Sequence, residues 1–168
     1  CAYFDSFCES CSLHIVMEYC EDGDLHAFLV ARHGNLLEER DVWCFFMQAV
    51  EGLAHLHSLK ILHRDVKSRN LFLSKRGLKI GDLGVARLLG TCSEFAQTLV
   101  GTPYYLSPEL IENAPYNEKS DVWALGVVLH ELLAAGRLPF EAQNQGALVL
   151  RILRGNREPP PDDYSDEA

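Results

Sequence analysis

The fold of this chain is decided by eight consecutive residues, which read His63-Arg64-Asp65-Val66-Lys67-Ser68-Arg69-Asn70. They follow a long segment of helical apolar periodicity and precede a short apolar run, so we expect a loop between a helix and a strand. Asp65, Lys67 and Asn70 bring a carboxylate, an ammonium group and an amide together on this loop, and we interpret these side chains as a candidate catalytic site.

The same eight residues also fit a plainer interpretation, a helix C-terminus followed by a polar turn. Basic side chains collect where the last carbonyl groups of a helix have no partner within the helix. Short motifs also occur by chance. The neighbouring motifs therefore have to decide between the two interpretations.

A second motif, Asp82-Leu83-Gly84, follows an apolar and basic stretch that ends at Ile80. Asp82 supplies a second carboxylate, and we expect Leu83 to pack into the core. Taken alone, the tripeptide would be better interpreted as an ordinary turn.

A third motif covers residues 101–109 and reads Gly-Thr-Pro-Tyr-Tyr-Leu-Ser-Pro-Glu. The segment before it is weakly periodic, as expected of a mobile loop. It contains Thr98, and a phosphate there would pair with Arg64 and order the loop. The alternative is a solvated threonine without a regulatory role.

A fourth motif, residues 120–133, predicts a helix that is apolar on nearly all sides and is therefore buried. Ser120 is the expected N-cap, and the helix is too short to span a membrane. Asp121 in its first turn is either a partner of the helix dipole or a brace for the backbone of the loop 63–70. Both roles are compatible.

In this order, the four motifs resemble those of the eukaryotic protein kinase catalytic domain. Residues 63–73, 101–109 and 116–126 most resemble the NIMA-related (Nek) serine/threonine kinases. The resemblance implies an α+β, protein-kinase-like fold, consisting mainly of the α-helical C-terminal lobe with two remnant strands of the N-terminal lobe. It also implies three parts: residues 1–17 as the end of the N-terminal lobe, 18–23 as the hinge and 24–168 as the C-terminal lobe.

The resemblance further implies roles for individual residues and implies ATP and Mg²⁺ as cofactors. Asp65 becomes the catalytic base, and Asn70 and Asp82 become the magnesium ligands. Lys67 marks serine/threonine rather than tyrosine specificity. The adenine pocket would comprise a gatekeeper, two hinge residues and a floor: Met17, Glu18, Cys20 and Phe72. Thr102 would link the activation segment to Asp65, and the structural residues would be His63, Glu109 and Asp121.

The motifs also predict that this chain is a fragment. Residues 3–7 and 13–19 read as two strands, the second of them buried, where a kinase would already have formed three strands and a helix. The glycine-rich loop, the strand lysine, its helix glutamate and the arginine that pairs with Glu109 are therefore expected to be missing. We expect such a piece to be marginally stable, aggregation-prone and inactive by itself.

Composition restricts the class of protein. The 168 residues are 48% hydrophobic, which is typical of one globular domain. The formal net charge of −9 argues against general nucleic-acid binding, and no apolar run is long enough for a membrane span. Six cysteines without zinc-site spacing favour reduced thiols in an intracellular, cytoplasmic protein, with centrosome, cilium or nucleus as the alternatives that the family suggests.

Two functions remain open at this stage. The first is a serine/threonine kinase that phosphorylates protein substrates, because every catalytic position present in the chain is intact. The second is a truncated kinase or pseudokinase that acts as a binding or scaffold protein, because the phosphate-positioning parts are missing.

Overall fold

A computed structural model of the chain describes residues 1–83, 87–88 and 103–165. Its strands, in chain order, are β1 (Tyr3–Glu9), β2 (Ser12–Met17), β3 (Ile61–Leu62), β4 (Leu71–Ser74), β5 (Gly77–Ile80) and β6 (Arg87–Leu88). Its α-helices are α1 (Leu25–Ala31), α2 (Glu39–Ser58), α3 (Pro108–Ile111), α4 (Glu118–Leu133) and α5 (Gln145–Leu153), and a short 3-10 turn covers Ser68–Asn70. The chain is thus mainly helical, in agreement with the predicted fold class.

The first two strands form an antiparallel hairpin in which Phe7 is paired with His14. Every residue of β1 and β2 is exposed, including Phe4 at 64% and Leu13 at 65%. The prediction that residues 13–19 form a buried strand was therefore wrong. The physical reason is that none of the described helices covers either face of the hairpin.

The core is built by α1, α2 and α4. Asp24 caps α1 by accepting a hydrogen bond from the backbone amide of Ala27 at 2.8 Å, and Leu25 and Leu29 of that helix are fully buried. Each such leucine contributes roughly 1.5–3 kcal/mol to stability. Helix α2 packs against α4, and its buried residues recur at helical spacing along one face: Val42, Ala49 and Leu53.

Helix α4 begins with a capping box, in which the Asn117 side chain accepts a hydrogen bond from the amide of Lys119 at 2.8 Å. Ser120 is the third helical residue and not the N-cap that we predicted from the sequence. Its hydroxyl is buried and donates to the carboxylate of Glu109 at 2.7 Å. The N-terminus of α4 is therefore tied to α3.

Two small antiparallel sheets hold the loop 63–70 in place. β3 pairs with β6, and β4 pairs with β5, so that the loop leaves β3 and returns into β4. The backbone amide of Gly81 donates to the carbonyl of Asn70 at 3.0 Å. This bond brings the residues that follow β5, beginning with Asp82, next to the end of the loop.

Candidate active site

Asp121 of α4 anchors the backbone at the start of the loop 63–70. Its carboxylate is fully buried and accepts hydrogen bonds from the backbone amides of His63 at 3.0 Å and Arg64 at 2.9 Å. It also contacts the imidazole of His57 at 2.8 Å and the hydroxyl of Tyr116 at 2.5 Å. A buried carboxylate needs partners of this kind, because an isolated charge is very costly to remove from water.

The backbone of Arg64 is the strained point that this carboxylate supports. Its φ of 71° lies in the left-handed region, which is uncommon for a residue with a side chain. The hydrogen bond from its amide to Asp121 holds that conformation, and its guanidinium lies over the ring of Tyr116 at 5.4 Å. Burial and the nearby charge of Asp121 both raise the pKa of Tyr116, so its hydroxyl stays a donor.

His63 connects the loop to the residues after β5. It is fully buried; its Nδ1 accepts the backbone amide of Asp65 at 3.3 Å, and its Nε2 lies 3.0 Å from the carbonyl oxygen of Gly81. Since Nδ1 is the acceptor, the proton of a neutral ring lies on Nε2 and is donated to Gly81. The imidazole therefore fixes the distance between Asp65 and the segment that carries Asp82.

Asp65, Lys67 and Asn70 converge on one carboxylate oxygen. Lys67 Nζ lies 2.6 Å from Asp65 Oδ2, and Asn70 Nδ2 donates to the same oxygen at 2.9 Å and to the Asp65 carbonyl at 2.8 Å. The Asp65 side chain remains 35% exposed. Its second oxygen, Oδ1, takes no hydrogen bond from the described residues, so it is available to a hydroxyl group from outside.

Asn70 and Asp82 supply oxygen atoms of the kind that magnesium prefers. Both amide hydrogen bonds of Asn70 use its nitrogen, and among the described residues none uses its Oδ1. Asp82 is exposed and has a left-handed φ of 55°, which turns the chain towards the cleft behind β2. The described residues contain no cluster of three or more histidine, cysteine, aspartate or glutamate side chains suited to a metal ion. A magnesium ion here would take its other ligands from water and phosphate.

Leu83 does not occupy the core. It is 49% exposed and lines the same cleft as Asp82, which corrects the expectation that it packs inside. Leu83 follows the left-handed backbone of Asp82 into the wall of this open cleft, so about half of its surface stays exposed.

A mainly apolar cleft of about 840 Å³ lies between the hairpin and β4–β5. It is lined by all four residues predicted to form an adenine pocket: Met17, Glu18, Cys20 and Phe72. The carboxylate of Glu18 pairs with the ammonium group of Lys79, and this hydrogen bond holds the pKa of Glu18 below its usual value. Gly81 forms part of the wall, and a Cβ there would lie 2.7 Å from the ring of Phe72.

A second cleft, of about 550 Å³, opens on the other side of Asp65. Glu131 of α4 lines it and is buried, and accepts hydrogen bonds from the hydroxyl groups of Ser68 and Tyr105, both at 2.7 Å. Burial raises the pKa of Glu131 to about 7. The sequence analysis did not select these three residues. The sequence signal that could have identified Glu131 is a glutamate within a mainly apolar helix.

The remaining predicted residues are distributed as follows. Thr98 and Thr102 lie outside the described residues. Glu109 accepts the hydroxyl of Ser120, and the part of the chain that the structure describes contains no arginine paired with it. Among the described residues, no helix combines the length and apolar character needed to cross a membrane.

A family model described as "Protein kinase domain" matches residues 1–167. The chain is 51% identical over 164 residues to mouse serine/threonine-protein kinase Nek1 and 48% identical over 168 residues to human Nek5. These alignments cover 97% and 99% of the chain, but only 14% and 24% of the relatives. A probable serine/threonine-protein kinase nek3 of Dictyostelium discoideum is 42% identical over 98% of the chain.

The Nek resemblance predicted from the motifs agrees with these relatives, although the chain spans about a quarter or less of their length. The match over residues 1–167 includes the loop at Asp65, the segment at Asp82 and the buried helix α4. The chain therefore belongs to the protein kinase family.

Proposed function

We propose that the protein containing this chain is a serine/threonine protein kinase, which transfers the γ-phosphoryl group of ATP to hydroxyl groups of protein substrates. The observation that carries the proposal is the arrangement at Asp65. Its Oδ2 is held by Lys67 at 2.6 Å and Asn70 at 2.9 Å, while the side chain stays partly exposed and lines the second cleft. One cleft suits a nucleotide and the other suits a polypeptide segment.

In this proposal Asp65 orients the substrate hydroxyl and accepts its proton through Oδ1. Lys67 neutralises charge on the transferred phosphoryl group from its position beside Oδ2. Phosphoryl transfer depends mainly on positioning and charge stabilisation, and a carboxylate fixed by two hydrogen bonds meets that need. The structural residues do not act on the substrate. Asp121 and His63 bond backbone groups of the loop and of Gly81, and Glu109 bonds the side-chain hydroxyl of Ser120.

Magnesium would be held by Asn70 Oδ1 and the carboxylate of Asp82. When bound, the ion neutralises the charge of the β- and γ-phosphates. The fit rests on the amide oxygen of Asn70, which no described residue uses in a hydrogen bond, and on the position of Asp82 in the wall of the nucleotide cleft.

Adenine would bind beside Met17 and Phe72, with the hinge at residues 18–23. The amide of Glu18 already donates to the carbonyl of Ala2 at 2.8 Å. Among the described residues, no hydrogen bond uses the amide of Cys20, so this is the donor that we assign to the adenine ring. Residues 1–17 would then belong to the N-terminal lobe and 24–168 to the C-terminal lobe.

Arg64, Thr98 and Thr102 would form the regulatory part of the site. A phosphate on Thr98 would bind the guanidinium of Arg64, and Thr102 would connect the activation segment to Asp65. An intracellular location is part of the same proposal, supported by the free thiols of the described cysteines.

The alternative function, a binding protein without catalysis, is less favoured by the site. A scaffold does not require a carboxylate, an ammonium and an amide that meet at one oxygen. The two functions differ in one measurement, the transfer of labelled phosphate to a serine/threonine substrate by the full protein.

We expect Asp65→Asn to lower this turnover by about 10²–10⁴, as for loss of a general base. Asp163→Asn makes the same chemical change at an exposed position of the tail and is expected to leave turnover unaltered. Full activity of the Asp65→Asn protein would overturn the proposal. Nucleotide binding without any phosphate transfer by the wild-type protein would favour the binding function.

A further inference from the structure

Two cysteines meet inside the nucleotide cleft. The sulfur atoms of Cys1 and Cys20 lie 3.6 Å apart, although 19 positions separate the residues in the sequence. Both side chains are partly buried, and both line the cleft of about 840 Å³. This is a paired site, and the mechanism above uses neither thiol.

Backbone hydrogen bonds hold both cysteines in place. The backbone nitrogen of Cys1 donates to the carbonyl of Ile80 at 2.7 Å, and the carbonyl of Cys20 accepts the amide of Gly23 at 3.2 Å. Gly81 leaves space for the first sulfur, because a Cβ on Gly81 would lie 3.2 Å from Cys1 Sγ. The contact thus joins the segment just before β1 to residues 18–23.

We propose that Cys1 and Cys20 are a redox-active dithiol site, which a hydroperoxide oxidises to a disulfide in the wall of the nucleotide cleft. A disulfide has a sulfur–sulfur distance of about 2.05 Å, so the two atoms must approach by roughly 1.5 Å, within reach of side-chain rotation. The coupling of this oxidation to bound nucleotide rests on the function proposed above, whereas formation of the disulfide does not.

The chemistry balances with hydrogen peroxide as the oxidant. The thiolate of one cysteine attacks a peroxide oxygen, which forms a sulfenic acid and releases hydroxide, protonated to water. The second thiol then attacks the sulfenic sulfur, which forms the S–S bond and releases a second water. Two thiols lose two electrons and two protons in total, and one peroxide is reduced to two waters.

The site differs from the other close pair of cysteines in its surroundings. Cys8 and Cys11 are both exposed near the turn of the hairpin, and Cys44 is exposed on α2. Cys1 and Cys20 are the ones partly enclosed by a cleft that a ligand can fill. Bound nucleotide should therefore protect them from oxidation, whereas it should not protect the hairpin pair.

The test uses the 168-residue chain with Cys8→Ser and Cys11→Ser, which removes the competing pair. The protein is treated with hydrogen peroxide, alkylated and cleaved after glutamate, which releases residues 1–9 and 19–21 as separate peptides. We expect mass spectrometry to show these two peptides joined by one disulfide, and expect Cys1→Ser on the same background to abolish the joined species.

The dithiol proposal would be overturned if peptides 1–9 and 19–21 were recovered only as separate species, each with an alkylated or sulfenic cysteine. The same holds if their sulfurs are joined mainly to Cys44 or Cys92. Repeating the oxidation with saturating MgADP tests the nucleotide part. At least a fivefold slower formation of the disulfide is expected. An unchanged rate of disulfide formation would count against nucleotide binding in this cleft, but not against the dithiol site. Binding of MgADP by a protein that forms no disulfide would count against the dithiol site alone.

Discussion

Ser68 and Glu131 join the loop 63–70 to the buried helix α4 through a hydrogen bond of 2.7 Å between Oγ and Oε1. The two residues are 63 positions apart in the sequence. Tyr105 donates to the other oxygen of the same carboxylate, so Glu131 connects two walls of the second cleft. This carboxylate is buried, and burial raises its pKa from 4.5 to about 7.

The first prediction concerns the pH dependence of stability. An acid whose folded pKa lies above its unfolded pKa binds more protons when folded, so stability falls as the pH rises from about 4.5 to about 7. The difference between those values corresponds to about 3 kcal/mol. We expect Glu131→Gln to remove most of this decline, measured as the free energy of unfolding in urea at pH 5, 6, 7 and 8.

The control for this prediction is Glu112→Gln, which makes the same change at an exposed position after α3. It should leave the pH profile of the wild-type protein unaltered. His130 has a lowered pKa because of burial and the charges of Arg157 and Arg137, and it contributes the opposite slope in both proteins. An identical decline in wild-type and Glu131→Gln proteins would refute the assignment to Glu131.

A second prediction concerns Asp121. In Asp121→Asn, one acceptor oxygen is replaced by an amide nitrogen that faces backbone donors of the loop, and Arg64 loses support for its left-handed backbone. Because a hydrogen bond to a charged group contributes roughly 1.5–3 kcal/mol, we expect a loss of at least that size in the free energy of unfolding. Asp163→Asn, in the exposed tail, should change it by less than about 0.5 kcal/mol. Equal values for the two variants would contradict the bracing role.

The third prediction compares a glycine in a crowded position, Gly81, with one in an open position, Gly126. A Cβ at Gly81 would lie 2.7 Å from the Phe72 ring, so Gly81→Ala must displace the floor of the nucleotide cleft. We expect at least tenfold weaker binding of MgADP by calorimetry, together with a loss of about 1–3 kcal/mol in stability from overpacking. Gly126→Ala on α4 meets no atom within 4 Å, and alanine there should stabilise the helix by about 0.5–1 kcal/mol without affecting nucleotide binding. Unaltered nucleotide affinity in Gly81→Ala would place the adenine site elsewhere.

The fourth prediction concerns self-association through the hairpin. Phe4 and Leu13 are 64% and 65% exposed on a two-stranded sheet with open edges, and such strands pair readily with other chains. The double variant Phe4→Lys and Leu13→Lys should therefore reduce the concentration dependence of the apparent mass in light scattering. Leu150→Lys, on the exposed side of α5, serves as the control for charge alone. A wild-type chain that stays monomeric at high concentration would disprove this prediction.

Some features were predictable from the sequence because they are local. Asp65, Lys67 and Asn70 lie within one loop, so their spacing already constrains them to approach each other. The extent of α2 and its buried face follow from apolar residues at helical spacing, because a helix repeats its faces every 3.6 residues. For the same reason the family and the fold class were evident before the structure.

Other features depended on the tertiary structure, because they join segments that no periodic pattern relates. His57 meets Asp121 across 64 positions, and Cys1 meets Cys20 across 19. Leu83, expected inside, is about half exposed because it lies in the wall of an open cleft and not in the core. The sequence by itself determined the family, the fold class and the side chains that we propose for the chemistry. Only the packing of distant segments decided which of them are buried, paired or open, since burial and hydrogen bonding depend on what surrounds a residue in space.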